Sequence, residues 1–374
     1  MTVANPQDIL FVLKVPPPFG GGEIEHQYIY DALKDRYRFI RFSRPSHNKA
    51  RQGKVKLANV LFGLRMITQV IFRCLRQRPN VVFIWLPKDF PAFLRNAALV
   101  SLLNRMHIRV IGDLHGMGFG FLSSNRWQRM YEKHINRYAA IRTLSDSIAQ
   151  KLRSSGFQHH IRVIDNGIDT PAALRVKRGP LREPVKLLYL GAISEAKGFM
   201  RVLHSLVQLK NGGMRFLLQV VGEWTDSAFR DHAQRVIREH GLQSELTFSG
   251  ILIDDAKWRA IEQSDLLLHF TEWDGQPLTI IEAMAAGVPA MATRVGAIPE
   301  MIKHGTNGFL IDRPEQAIEL MHHLVQQPAD YEKISKRARQ TYERRFSYQT
   351  YIENIEQLVG DMNRATSHPV SKNR

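Results

Sequence analysis

The stretch Asp274 to Pro289, D-G-Q-P-L-T-I-I-E-A-M-A-A-G-V-P, decides the fold when it is read with the run Leu266 to Phe270 just before it. That run has the length and apolar character of a buried strand. After the polar loop Glu272 to Pro277, residues Leu278 to Ala286 are helix formers or apolar. Gly287 stops the helix and Pro289 prevents its continuation. Strand, polar turn, helix is the unit from which α/β proteins are built. It aims a helix N-terminus, with unpaired N–H groups and partial positive charge, at whatever lies beyond the strand's carboxyl end. Such a place suits an anion. The carboxylates of Asp274 and Glu282 beside it suit hydroxyl donors instead, so the segment points to a ligand carrying both phosphate and sugar.

Two structural readings stand beside that one. Thr279 followed three residues later by Glu282 fits a capping box, in which the glutamate serves only backbone donors. Asp274-Gly275 fits an ordinary turn. The segment alone leaves all three open.

Working outward, the same alternation runs through the chain. Apolar runs at Ile9–Val15, Phe39–Arg41, Val81–Leu86, Ile108–Asp113, Ala139–Leu144 and Ile161–Ile164 are separated by helical patterns, the signature of a mostly parallel, doubly wound sheet. Leu174 to Pro184 is polar, basic and contains Pro and Gly, as a linker would. The pattern then restarts at Val185–Leu190, Phe216–Val221, Leu246–Ser249, Leu266–Phe270, Pro289–Ala292 and Gly308–Ile311. Two Rossmann-like domains are expected, 1–173 and 185–347, joined by 174–184. Helices from Pro328 to Met362 close the chain, ahead of a polar tail at 367–374 expected to be disordered. At 374 residues, two domains are also the natural expectation from length.

Composition narrows the class. The apolar fraction of 44% allows both domains a buried core. The single cysteine, Cys74, permits no internal disulfide and fits a reducing compartment, with packing as its expected role. Ile9 to Val15 lacks a basic leader and a small-residue cleavage site, so it reads as a first strand and not a signal peptide. No uncharged run approaches the roughly 18 residues that span a bilayer. With 52 Lys and Arg against 35 Asp and Glu, the net charge of +17 calls for an acidic partner: nucleic acid, anionic lipid or a polyanionic substrate. Much of the excess lies between Arg36 and Arg109, where cations alternate with aliphatic and aromatic residues at helical intervals. That favours a membrane-surface helix over a nucleic-acid arm, beside the simpler reading of a core-facing helix with a solvated basic face.

Ligands of doubly wound sheets bind at the carboxyl ends of the strands. The loops there carry, in order, Gly20-Gly21-Gly22 before a helix expected from about Glu23, Leu114-His115-Gly116, and Asp165-Asn166-Gly167-Ile168-Asp169. In the second half come Gly191 with Lys197-Gly198, Val221-Gly222, and Ser249-Gly250. Lysine at a helix start could hold a diphosphate together with the free N–H groups. Each feature alone is weak, and a tight turn or a solvated lysine explains it equally well.

The ordered set resembles the GT-B glycosyltransferases of the large retaining family 4, over almost the whole chain. The resemblance rests on those loops together with Asp274 to Pro289, Gly296-Ala-Ile-Pro299-Glu300 and Asn307-Gly308. It implies an α/β GT-B architecture, two Rossmann-like doubly wound domains facing a cleft, with a last helix, about 348–362, returning to the first domain. The donor, a nucleotide-diphosphate sugar, would sit on the C-terminal domain, and a glycan or lipid-linked acceptor would face the N-terminal one. Carried over by motif, Glu282 would accept from the ribose hydroxyls and Asp274 from the transferred sugar. Lys197 and the N–H groups near Leu278 and Thr279 would hold the diphosphate, and Gly191, Gly250, Gln276 and Pro277 would complete the donor site. His115 would reach the sugar, making His115, Asp274 and Lys197 the expected catalytic residues, while Gly20, Gly21 and Gly22 would form an acceptor or diphosphate loop. A cation and a helix N-terminus would stabilise the departing diphosphate, so no metal is expected, and no D-x-D motif is found. Two positions depart from the family pattern: Asp274 replaces the usual Glu and reaches roughly one bond less far, and Ala192 follows Gly191 where many members carry Arg.

The function expected is a retaining hexosyltransferase of envelope polysaccharide or lipopolysaccharide synthesis, cytoplasmic or peripheral on the cytoplasmic membrane face. A nucleotide-sugar epimerase of the same fold and a basic nucleic-acid-binding module are the rivals, although no nucleic acid is expected, because the aromatics look like core and not like a stacking groove.

Overall fold

A computed structural model describes residues 8–17, 20–43, 57–87, 90–115, 125–174, 179–313 and 315–367. The chain divides into two units, Met1–Gly167 with Tyr348–Arg374, and Ile168–Ser347. In the first, β1 (Ile9–Lys14), α1 (Gly21–Leu33), β2 (Arg38–Phe42), α2 (Leu57–Gln77), β3 (Val81–Trp85), α3 (Phe90–Arg105), β4 (Arg109–Leu114), α4 (Asn125–Ile135), β5 (Ala140–Thr143), α5 (Asp146–Ser154) and β6 (His160–Val163) alternate. The second contains β7 (Val185–Leu190), α6 (Phe199–Asn211), β8 (Phe216–Val221), α7 (Ser227–Glu239), β9 (Leu246–Gly250), α8 (Asp254–Glu262), β10 (Leu266–His269) and α9 (Leu278–Ala285). It continues through β11 (Ala290–Thr293), α10 (Ile298–Met301), β12 (Gly308–Ile311), α11 (Gln316–Gln326) and α12 (Pro328–Thr341). The last helix, α13 (Tyr348–Ser367), belongs to the first unit. No helix among the described residues is long and apolar enough to cross a membrane.

Each unit is built on one six-stranded parallel sheet, ordered β2-β1-β3-β4-β5-β6 in the first and β12-β11-β10-β7-β8-β9 in the second. Strands β1, β3, β4, β5 and β10 are buried on both faces, as a parallel sheet requires. Along β1, Leu10 and Val12 join one core while Ile9, Phe11 and Leu13 join another on the opposite face. That second face is closed partly by α13, whose Tyr351, Ile355 and Val359 are buried in it. Each such apolar side chain contributes roughly 1.5 to 3 kcal/mol over an exposed one. Because strand order reverses between β1 and β3, and again between β7 and β10, each sheet has a switch point where its crossovers part and leave a crevice.

All twelve runs read as strands are strands, three with the same ends and the others displaced by no more than one residue at either end. Three expectations need correction. The first domain was expected to run to 173 and the second to start at 185, whereas the second unit begins at Ile168, because Ile168 is already bound there. Its N–H donates to the Phe346 carbonyl at 3.1 Å, and its carbonyl accepts from the Tyr342 hydroxyl at 3.1 Å. Of the stretch 174–184, residues 175–178 lie outside the described residues, and Leu181 is packed into the second core, so this end of the stretch is part of the domain. The glycines before α1 are not a loop: Gly20 caps the helix in extended conformation, and Gly21 and Gly22 form its first turn. The tail at 368–374 and residues 116–118 after His115 lie outside the described residues.

Candidate active site

The switch point of the second sheet lies between β7 and β10, and the loops leaving these two strands are locked together. The Thr271 hydroxyl and the Glu272 N–H both donate to the Ala196 carbonyl, at 3.2 and 3.0 Å. Gly198 adopts φ +74 and lies so close to β10 that a β-carbon there would fall 1.8 Å from the Phe270 carbonyl oxygen. Gly296, at φ +57, presses equally closely on the next loop, where a β-carbon would fall 1.6 Å from the carbonyl oxygen of Asp274. Only glycine fits either position. Across the same carboxyl edge, the Gly191 N–H donates to Val221 at 2.9 Å and the Gly222 N–H to Gly250 at 2.8 Å, so glycines line the ends of β7, β8 and β9.

Within this frame the acids singled out by the sequence each meet a lysine. Lys197 Nζ lies 2.6 Å from Asp274 Oδ2, and Lys257 Nζ lies 2.7 Å from Glu282 Oε1. Asp274 is about one-fifth exposed, and its other oxygen accepts from the Gly275 N–H at 2.9 Å. Burial works against its charge, but His269 and Lys197 outweigh that and hold the carboxyl down at about 2. Asp274 is therefore an anion throughout the neutral range. The buried ring of His269, at the end of β10, brings Nε2 to 3.5 Å from Asp274 Oδ2 without a well-formed hydrogen bond. Its Nδ1 is 3.5 Å from the Thr279 hydroxyl.

The capping-box reading of Thr279 and Glu282 does not hold. α9 starts two residues earlier than such a box needs, with Pro277 as its cap, no side-chain capping bond, and Thr279 already inside the first turn. Glu282 is engaged by Lys257 and not by backbone N–H groups. The N–H groups of Leu278 and Thr279 are among the first-turn donors that have no intrahelical partner. Gln276 is buried in the loop just ahead of them.

In the first unit the corresponding chemistry is buried. Asp113, at the end of β4, is fully buried and receives three groups: Arg142 at 3.0 Å, His26 Nε2 at 2.9 Å and His115 Nε2 at 2.7 Å. His115 Nδ1 lies 3.0 Å from Glu25 Oε2, so the imidazole is held between two carboxylates. Burial pulls its pKa down, yet Asp113 and Glu25 dominate and raise it to about 9. Burial likewise opposes the charge of Asp113, and His115 and Arg142 override it, leaving its pKa well below the carboxylate range. Arg142, fully buried on β5, also donates to Asn166 at 2.8 Å and to the Ile164 carbonyl at 3.0 Å, and lies 5.4 Å from the Tyr351 ring of α13. Glu25 Oε1, fully buried, has no hydrogen-bond partner. Gly22 is where α1 passes His115, with room for a β-carbon only 3.4 Å from the ring.

His26, Asp113 and His115 bring ligand atoms within 4.8 Å of one another, close enough to suit a metal. A guanidinium and an imidazolium already balance the two carboxylates there, so the group is complete as an ion network. Sequence reasoning missed Glu25, His26 and Arg142 here, and Lys257 and His269 in the second unit. None stands in a motif: Glu25 and His26 lie on α1, Arg142 on β5, Lys257 on α8 and His269 on β10, and only their pairing in the fold reveals them.

Two family models match the chain in tandem, Glycosyltransferase Family 4 over residues 21–171 and Glycosyl transferases group 1 over residues 172–341. The chain belongs to the group 1 glycosyltransferases of GT-B fold. Among proteins similar to this chain is spore coat protein SA of Bacillus subtilis, 26% identical over 245 residues, which cover 59% of this chain and 64% of the relative. The putative colanic acid biosynthesis glycosyltransferase WcaL of Escherichia coli is 22% identical over 248 residues, 63% of this chain and 60% of that protein. The matches thus span less than two thirds of these curated relatives. Anabaena HepE, solved in complex with UDP and glucose, shares the fold at a TM-score of 0.71 and 17% identity, covering 94% of this chain and 99% of that one.

Proposed function

We propose that the protein is a retaining glycosyltransferase that moves a hexose from a nucleotide-diphosphate donor to a glycan or lipid-linked acceptor. The envelope polysaccharide or lipopolysaccharide pathway is the setting we assign, at the cytoplasmic face of the membrane and peripheral to it. The observation that carries this reading is the pair of acid–lysine contacts at the switch point of the second sheet, beside the N-terminus of α9. A neutral sugar or a bare anion would use only half of that arrangement. A donor carrying both would give hydroxyl protons to Asp274 and Glu282, and its phosphates would take over Lys197, Lys257 and the N–H groups of Leu278 and Thr279. Negative charge gathering on the departing diphosphate then meets two ammonium groups and a helix N-terminus already in place, which lowers the barrier without a metal. Support comes from relatives: HepE was solved with UDP and glucose, and WcaL carries the name of a polysaccharide glycosyltransferase.

The test is a thermal-shift screen of UDP, GDP and ADP and their sugars with the full chain. A donor at about a hundred times its dissociation constant stabilises by about 2.7 kcal/mol, and Glu282→Ala should abolish the shift. No stabilisation by any member, together with no transfer or hydrolysis, would end the donor reading. Anomeric proton NMR of the product decides retention, and full activity in EDTA decides metal independence.

A further inference from the structure

α2 is apolar on the wrong side as well as the right one. Met66, Val70 and Cys74 are fully buried against the sheet, as the core-facing stripe of a surface helix should be. Yet the opposite face carries Leu61, Leu64, Phe72 and Leu75, each between 55% and 64% exposed, a crest repeating at helical intervals. Exposed Arg65, Arg73 and Arg76 lie beside it along one flank. Neither α2 nor the next helix, α3, contains a single Asp or Glu. The two helices are neighbours, Arg95 of α3 packing on Gly63 of α2, and α3 adds exposed Leu94 and Leu102. An apolar crest of four large side chains, broken only by Thr68 midway, is uncommon on a solvated helix and marks a covered surface.

We propose that α2 lies in the headgroup region of an anionic bilayer, its crest immersed in the acyl boundary and its arginines against lipid phosphates. Charge selects this occupant. A second copy of the chain would bring an acid-free, cationic face against its own image, since a two-fold contact is self-complementary. Nucleic acid would satisfy the arginines but not four large exposed hydrophobic side chains. An anionic membrane satisfies both. At 21 residues the helix offers roughly 30 Å of contact lying flat. The inference rests on the peripheral reading given above, but not on the identity of the donor.

The experiment is co-sedimentation of the full chain with vesicles of phosphatidylglycerol and phosphatidylcholine, and with phosphatidylcholine alone, at physiological salt. Wild type is expected to sediment with the anionic vesicles only. The variant Leu61→Gln, Leu64→Gln, Phe72→Gln, Leu75→Gln is expected to stay in solution, and Arg65→Gln, Arg73→Gln, Arg76→Gln to bind about a hundredfold more weakly, about fivefold for each cation removed. All these residues are exposed, so circular dichroism and the melting point should hold, and Leu217→Gln, an exposed position of the second unit, is the neutral control. Failure of wild type to sediment overturns both the peripheral reading and this one. Sedimentation that survives both α2 variants overturns the assignment to α2 alone. Conversion of a wild-type dimer to monomer by the crest variant, with lipid binding unchanged, would show instead that copies of the chain pair through this face.

Discussion

His115 should tie the stability of the protein to pH in the alkaline range. Its imidazole lies between Asp113 at 2.7 Å and Glu25 at 3.0 Å, and its pKa rises from 6.5 to about 9. A group whose folded pKa is raised stabilises the native state fully below the unfolded value, and that contribution is lost as pH climbs through the folded value. The window is therefore pH 6.5 to about 9, and a shift of this size corresponds to at most about 3 kcal/mol. The perturbation is His115→Gln, and the assay is urea denaturation of both proteins at matched pH values. Comparing them cancels other groups that titrate alkaline. The variant should be less stable by about 3 kcal/mol near pH 6, and the gap should close as pH passes 9. NMR titration of the wild-type imidazole should give the midpoint directly. A gap that stays constant between pH 6 and 10, or a midpoint at or below 6.5, would refute the charged network.

Two further outcomes test the second unit. Gly296→Ala places a β-carbon against the Asp274 carbonyl and a side chain at φ +57, so it should cost about 3 kcal/mol and displace the Asp274 loop; unchanged melting and donor binding would show that the loop yields freely. Lys257→Met removes the cation at Glu282 and should weaken UDP binding about tenfold in calorimetry, whereas tighter binding would mean that Lys257 merely competes with the ribose for Glu282.

How much of this was legible in the sequence depended on distance along the chain. The strands were readable because each is a short apolar run between polar turns, a local property. Asp274 and Lys197 stood out because each sits between a strand and the following helix, and Glu282 because it lies one turn into such a helix. Their pairing was not: Lys197 and Asp274 are 77 residues apart, and His26 and Asp113 are 87 apart. A parallel sheet brings together strand ends separated by whole crossovers, so such contacts leave no short-range spacing. Arg142 shows the same blindness in another form. Within Ala-Ile-Arg-Thr it resembles an outward cation on a strand, and its full burial is tolerable because Asp113, Asn166 and the Ile164 carbonyl all accept from it. Gly198 fitted a tight turn and Gly296 stood only within a motif stretch, although what fixes both is a carbonyl from a different strand or loop.

The acid–lysine pairs also bear on selectivity under the proposed function. A half-buried carboxylate or ammonium left alone costs more than a paired one. Lys197 on Asp274 and Lys257 on Glu282 therefore keep the ligand-free site electrically balanced. A ligand gains affinity only if it repairs what it breaks. Inorganic phosphate draws the lysines away but leaves two carboxylates without donors. A free sugar supplies donors to the carboxylates but leaves the two ammonium groups without acceptors. An intact nucleotide sugar does both at once, so the site discriminates by completeness of exchange. Splitting the donor removes that match: once the sugar has left, the diphosphate still holds the lysines, but Asp274 has lost its hydroxyl donors and draws Lys197 back. Re-forming the Lys197–Asp274 pair would then favour release of the nucleotide, which ties turnover to the same contact that closes the empty site.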